Sequence, residues 1–180
     1  MAKVEPSIIL ITGIMAAGKS TVAQRLAERL PKSVHLRGDL FRRMIVNGRA
    51  EMAADFGAEA FEQLRLRYRL AAAAAELYCS AGFTVVYQDV ILGPVLQEVV
   101  DMLKAKRSLQ VIVLCPSPEV VAQREAARNK VGYTSWSPVD LDTELRSNTP
   151  RLGLWLDNSA LSVEETVDTI LAQLDNSLRC

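Results

Sequence analysis

The run Gly13-Ile14-Met15-Ala16-Ala17-Gly18-Lys19-Ser20 constrains this chain more than any other stretch. Its spacing is G-x-x-x-x-G-K-[ST], the phosphate-binding P-loop pattern. Before it stands Ile8-Ile9-Leu10-Ile11, a β-branched apolar run with the character of a buried parallel strand. After it, Val22, Leu26 and Leu30 recur at helical spacing among polar residues. Strand, glycine loop and helix together turn backbone N–H groups toward a polyphosphate at a helix N-terminus. The nucleotide is therefore expected along Gly13, Ala16, Ala17 and Gly18, continuing to Lys19, Ser20 and Thr21. Lys19 is expected on the β- and γ-phosphates of ATP, and the Ser20 hydroxyl on Mg2+. A dinucleotide G-x-G-x-x-G is missing, which excludes NAD as the ligand of this loop.

The remaining sequence predicts strands alternating with helices. Strands are expected at 8–12, 33–36, 83–87, 109–114 and 152–156. Helices are expected at 19–30, 39–47, 59–80, 95–105, 119–128, 139–147 and 162–174. That alternation defines an α/β fold of three layers, a five-stranded parallel sheet covered on both faces, in one P-loop domain over 1–180. A turn-rich segment at 129–138 reads as a lid, and 49–58 as a substrate-facing connection. In such sheets ligands collect at the C-terminal ends of strands. Gly13, Asp39 and Asp89 fall there on three different strands.

Asp39 follows the second strand, twenty residues after Lys19. A carboxylate there can orient an acceptor hydroxyl and take its proton as the new P–O bond forms. The plainer alternative is that Asp39 only caps the helix behind it. Arg42, one turn on, is a candidate for an anionic group of the acceptor, or else a solvated arginine beside Arg43. Asp89 is a candidate for Mg2+ through water or for the acceptor, or simply for turn N–H groups. Arg124 and Arg128 sit at i and i+4 before the lid, where arginines can stabilise charge on a transferred phosphoryl group. The expected catalytic set is Asp39, Lys19, Arg124 and Arg128. Asp39, Arg42 and Asp89 face the acceptor, and Ser20 and Asp89 hold the metal. His35 reads as core, Trp136 and Trp155 as core or lid packing with a pocket wall as the alternative, and of Arg65, Arg67 and Arg69 one at most is expected to reach the acceptor pocket.

Composition narrows the partners. Lys and Arg number 21 and Asp and Glu 21, so no global basic field exists to hold nucleic acid or a membrane surface. No secretory signal or membrane span is visible, and three scattered cysteines suit a reduced cytoplasmic setting. One His makes a dedicated zinc site an unlikely expectation.

Ile9 to Ser20, the Gly38-Asp39 step, Val85 to Gly93 and Arg124 to Arg128 together resemble the chloramphenicol phosphotransferase-like group of P-loop kinases. The resemblance covers most of the chain. It implies strand order 2-3-1-4-5, ATP and Mg2+ as cofactors, Asp39 as general base, and Arg124 and Arg128 as lid arginines over the phosphates. Residues 43–70 and 132–150, which would shape the acceptor pocket, have no close match in that group. The D-x-x-R of Asp39 and Arg42, with R-x-x-x-R at Arg124, is also similar to polynucleotide 5′-kinases, and D-x-x-R alone to adenylylsulfate kinases.

The leading expectation is an enzyme that moves the γ-phosphate of ATP to a hydroxyl of a small organic acceptor, with antibiotic-like molecules among the candidates. A 5′-hydroxyl polynucleotide kinase ranks second. A non-catalytic ATP-binding regulator is the alternative of another class. A GTPase switch is disfavoured, because no D-x-x-G follows the third strand.

Overall fold

The computed structural model describes residues 7–51, 57–127 and 137–177. Its elements run β1 (Ile8–Thr12), α1 (Lys19–Arg29), β2 (Ser33–Arg37), α2 (Asp39–Arg43), α3 (Ala58–Ser80), β3 (Thr84–Gln88), α4 (Val95–Lys104), β4 (Leu109–Leu114), α5 (Pro118–Ala126), α6 (Pro138–Thr143), β5 (Leu154–Leu156) and α7 (Val163–Ser177). A π-helical turn, Glu144–Asn148, continues α6.

The strands form one parallel sheet in the order β2-β3-β1-β4-β5. Every residue of β1 is buried, as expected of a central strand covered on both faces. Its neighbours leave it in opposite directions along the chain, so the loop after β1 opens at the switch point where such sheets bind ligands. Register brings the ends of the strands level: Ile11 pairs with Gln88, and Gln88 with Arg37. The loops after β1, β2 and β3 therefore share one rim. The Thr12 hydroxyl ties two of them, donating to the Ile91 carbonyl (2.9 Å) and accepting from the Ile91 N–H (3.0 Å).

The second helix stops at Arg43, earlier than the sequence suggests. Met44 leaves the helix, Gly48 turns with φ 76°, and Arg42 reaches forward to the Ala50 carbonyl (2.8 Å). The stretch expected as one helix over 139–147 divides into α6 and the π-turn. Arg146 fixes that turn, pairing with Asp142 and donating to the carbonyls of Cys115 and Pro116. Much of the connection at 49–58 and most of the lid at 129–138 fall outside the described residues, as do Arg128 and Trp136. Cys79 and Cys115 are buried free thiols. Among the described residues no helix is long and apolar enough to cross a membrane.

Candidate active site

The loop from Gly13 to Gly18 is shaped to receive an anion. Gly13 has φ 140°, and a Cβ there would lie 2.3 Å from the Leu114 carbonyl oxygen, so only glycine fits between β1 and β4. Ala16 stands at φ 61°, the left-handed region a side chain adopts at a cost, and Gly18 follows at 95°. Backbone turned this way presents successive N–H groups inward. Gly18 caps α1 without any side-chain bond, and the first turn carries no acid. The N-terminal amides of α1 are thus left to a ligand. Lys19, nearly buried, folds its ammonium onto the Ile14 carbonyl (2.7 Å) at the mouth of the loop.

Across the rim stands Asp39. Gly38, not Asp39, occupies the N-cap of α2, and no side chain bonds to that cap. The Asp39 carboxylate turns to Arg43 instead (2.5 Å), with the Arg37 Nε 3.6 Å from its other oxygen. That oxygen, Oδ1, has no hydrogen-bond partner among the described residues. Asp39 lines the same cavity as Lys19 and Ser20, a space of about 1390 Å³. This exceeds the ~300–1,000 Å³ of an ordinary small-molecule site and suits two ligands side by side.

Asp89 is 3% exposed and its carboxylate is committed within the protein. Arg67 grips it with Nε (2.9 Å) and Nη2, the Tyr87 hydroxyl donates at 3.1 Å, and the Val90 N–H at 2.8 Å. Turn N–H satisfaction, the plainer role weighed for it, is part of what it does. The side chain that faces the P-loop serine is Gln88, whose Oε1 accepts from the Ser20 hydroxyl at 3.3 Å. Period-two alternation along β3 places Gln88 and Asp89 on opposite faces. That alternation is legible in the sequence, and it is the signal by which Gln88 could have been found. Burial works against the Arg67 charge, but the adjacent Asp89 carboxylate outweighs it and holds the guanidinium above its ordinary pKa. Burial, then Asp89, pushes the Tyr68 and Tyr87 phenols up, so both remain donors.

Arg67 is the member of the 65–69 arginines that reaches the cavity. It lies three residues after Leu64 and four before Ala71, in the middle of the inward stripe of α3. An arginine on an apolar stripe is the sequence signal for such a residue. Arg42 also borders the cavity, but its guanidinium is engaged with Ala50 and, at 3.6 Å, with Glu51.

Arg124 clasps the far side of the loop. Its Nη1 donates to the Ala17 carbonyl (3.3 Å) and Nη2 to the Asn158 carbonyl (3.0 Å). The Asn158 amide also donates to Ala17 (3.1 Å). The P-loop, α5 and the β5–α7 loop are thereby joined. His35 pairs with Gln24 (2.9 Å) on β2, the sheet edge, and Trp155 packs against the core with Arg151 over its ring.

For Mg2+, the donor set at the loop mouth is the Ser20 hydroxyl beside the Gln88 amide oxygen. Two neutral oxygens fit an ion that draws its remaining ligands from phosphates and water.

A parallel sheet of order 2-3-1-4-5 with a phosphate-binding loop at its switch point defines an α/β P-loop fold of the kind found in small kinases. Residues 8–145 match the family model described as "AAA domain", and the chain belongs to that family. No curated protein sequence matches it. Among solved structures it is similar to the Deinococcus radiodurans tunicamycin resistance protein, with TM-score 0.71, 20% identity, and coverage of 94% of this chain and 95% of that one. A sugar kinase from Janibacter sp. HTCC2649 gives TM-score 0.71, 18% identity, and 94% and 95% coverage. The Mycobacterium tuberculosis APS kinase CysC, in complex with AMPPNP and APS, gives 0.69, 17%, and 95% and 98%. At these identities the likeness is one of fold, and it does not reach the narrower chloramphenicol phosphotransferase-like grouping.

Proposed function

We propose that this protein is an ATP-dependent phosphotransferase acting on a hydroxyl of a small organic acceptor. The observation that carries the reading is Asp39, which lines the same cavity as Lys19 and the P-loop and whose carboxylate keeps one oxygen without a hydrogen-bond partner among the described residues. The alcohol oxygen bonds to the γ-phosphorus as the bond to the β,γ-bridging oxygen breaks. The alcohol proton passes to Asp39 and ADP leaves with the bridging oxygen. Lys19 and the α1 amides neutralise the phosphates. Arg124, and Arg128 beyond it, supply positive charge from the lid side. Ser20 and Gln88 would hold Mg2+, which would neutralise part of the phosphate charge. Asp89, spent on Arg67, serves the acceptor side by fixing that arginine rather than by binding the metal. The similar structures include kinases of a sugar and of APS, which supports transfer to a hydroxyl.

The test uses γ-labelled ATP with Mg2+, a pool of small hydroxyl compounds and a 5′-hydroxyl oligonucleotide. Label on a small organic product is expected, and none with Lys19→Ala. Label confined to the oligonucleotide would replace this reading with a polynucleotide kinase. Tight nucleotide binding with no labelled product from any acceptor would make the protein a regulator.

A further inference from the structure

The cavity wall built by α3, the β3–α4 turn and α6 differs in character from the phosphate side. Phe61, Leu64, Leu92, Val95 and Leu141 all line it. Leu64, Leu92, Val95 and Leu141 pack against the core on one side yet stay partly exposed, and Phe61 is 37% exposed. Apolar surface left open in a concave wall, from three separate elements, is the character of a ligand site.

The polar side chains on this wall are each engaged within the protein, with a neighbouring side chain or with backbone. Both Glu98 oxygens accept from Arg65 (3.1 and 3.0 Å). Asp89 is held by Arg67, and the Tyr68 hydroxyl donates to the Val90 carbonyl (3.1 Å). Asp140 closes the capping box of α6 with Ser137, and Glu144 accepts from Asn148. A polyol or sugar acid bound here would set most of its hydroxyls against apolar side chains and the rest against groups already engaged, at a cost for every hydroxyl left unpaired. One donor remains. With Nε and Nη2 fixed on Asp89, Arg67 has its Nη1 unbonded among the described residues, on a guanidinium that borders the cavity.

We infer that the acceptor is an alcohol with a predominantly apolar body, aryl or branched alkyl, carrying one hydrogen-bond acceptor atom near its reacting hydroxyl. The apolar body lies against Leu64, Val95, Leu92 and Phe61. The single acceptor atom accepts a hydrogen bond from Nη1 of Arg67, and the hydroxyl faces Asp39. This rests on the phosphotransferase reading and narrows it from any small alcohol to an apolar one.

The experiment has two parts run on the same full-length protein. First, γ-labelled ATP and Mg2+ are supplied with size-matched alcohols graded from polyols and sugar acids to aryl and branched-alkyl alcohols. Second, 1-anilinonaphthalene-8-sulfonate is bound to the ADP-loaded protein, then displaced with the same alcohols. Transfer to apolar alcohols, or displacement by them, is expected to fall about tenfold or more in Val95→Asn. Phe61→Ser, at a more exposed position, is the second variant should Val95→Asn fold poorly. Binding of a fluorescent ADP analogue reports the donor half separately. Transfer to polyols in preference to apolar alcohols overturns the inference and leaves the kinase intact. So does dye binding that neither variant weakens and no apolar alcohol displaces. Loss of nucleotide binding in the unaltered protein would overturn the phosphotransferase reading itself.

Discussion

At the scale of single residues, the decisive contrast is between two aspartates at neighbouring strand ends. Asp89 is buried and saturated, whereas Asp39 keeps an oxygen without a hydrogen-bond partner among the described residues. Removing one member of a buried pair strands the other, at about 3–5 kcal/mol. Arg67→Ala is therefore expected to destabilise the fold by that order in urea unfolding. A joint Arg67→Met, Asp89→Leu variant is expected to recover much of the loss, because neither charge is then left alone. His35 offers a second check. Burial, then the charge of Arg37, lowers its pKa below the ordinary value. In the interval from about pH 6.5 down to that lowered value the unfolded chain binds the proton more readily than the folded one. The stability His35 contributes is present above about pH 6.5 and is lost as pH falls through its folded pKa. As the chain's one histidine, its imidazole can be followed alone by NMR. His35→Gln is expected to flatten the acid slope of unfolding in that interval.

At the scale of elements, the sequence located nearly every strand and helix, because each carries its own period and its own stop. The apolar runs of β1 and β4, the Ser162 box before α7 and the Gly82 turn after α3 are all local signals. What it left open depends on contacts distant in sequence. The end of α2 is set by Arg42 reaching to Ala50, and the π-turn by Arg146 reaching to Cys115. The Arg67–Asp89 pair joins a helix to a strand end 22 residues away, and nothing local announces it. The same pair explains Gly38. A Cβ there would lie 2.0 Å from the Asp89 Oδ2, so the backbone before Asp39 rests on the Asp89 carboxylate. Gly38→Ala is expected to displace that carboxylate and shift Asp39 with it. The cost should be on the order of 1–3 kcal/mol in stability, with acceptor phosphorylation falling further than nucleotide affinity. Equal losses in the two would detach Asp89 from Asp39.

At the scale of the whole molecule, the sheet order gathers loops from three strands, α5 and the β5–α7 loop around one cavity. The P-loop is fastened to the rest through Thr12, Arg124 and Asn158. Ligand bound there should stabilise all of these elements together. At a hundred times its Kd, ATP with Mg2+ is expected to raise unfolding stability by about 2.7 kcal/mol, and Lys19→Ala to lose most of that gain. A rise in thermal unfolding temperature with ATP, missing in the variant, is the readout. The donor half was legible because a P-loop is a contiguous motif. The apolar wall of the cavity was not, because it is assembled from Phe61, Leu92 and Leu141, far apart in the chain and each an ordinary apolar residue where it stands.

In the proposed reaction Asp39 converts a nucleotide cradle into a transferase. The direct measurement is single-turnover transfer from γ-labelled ATP to an alcohol acceptor, comparing the unaltered protein with Asp39→Asn. Label on the alcohol should appear about 10²–10⁴-fold more slowly in the variant, with ATP affinity unchanged. Transfer at an undiminished rate in Asp39→Asn would remove Asp39 from the reaction.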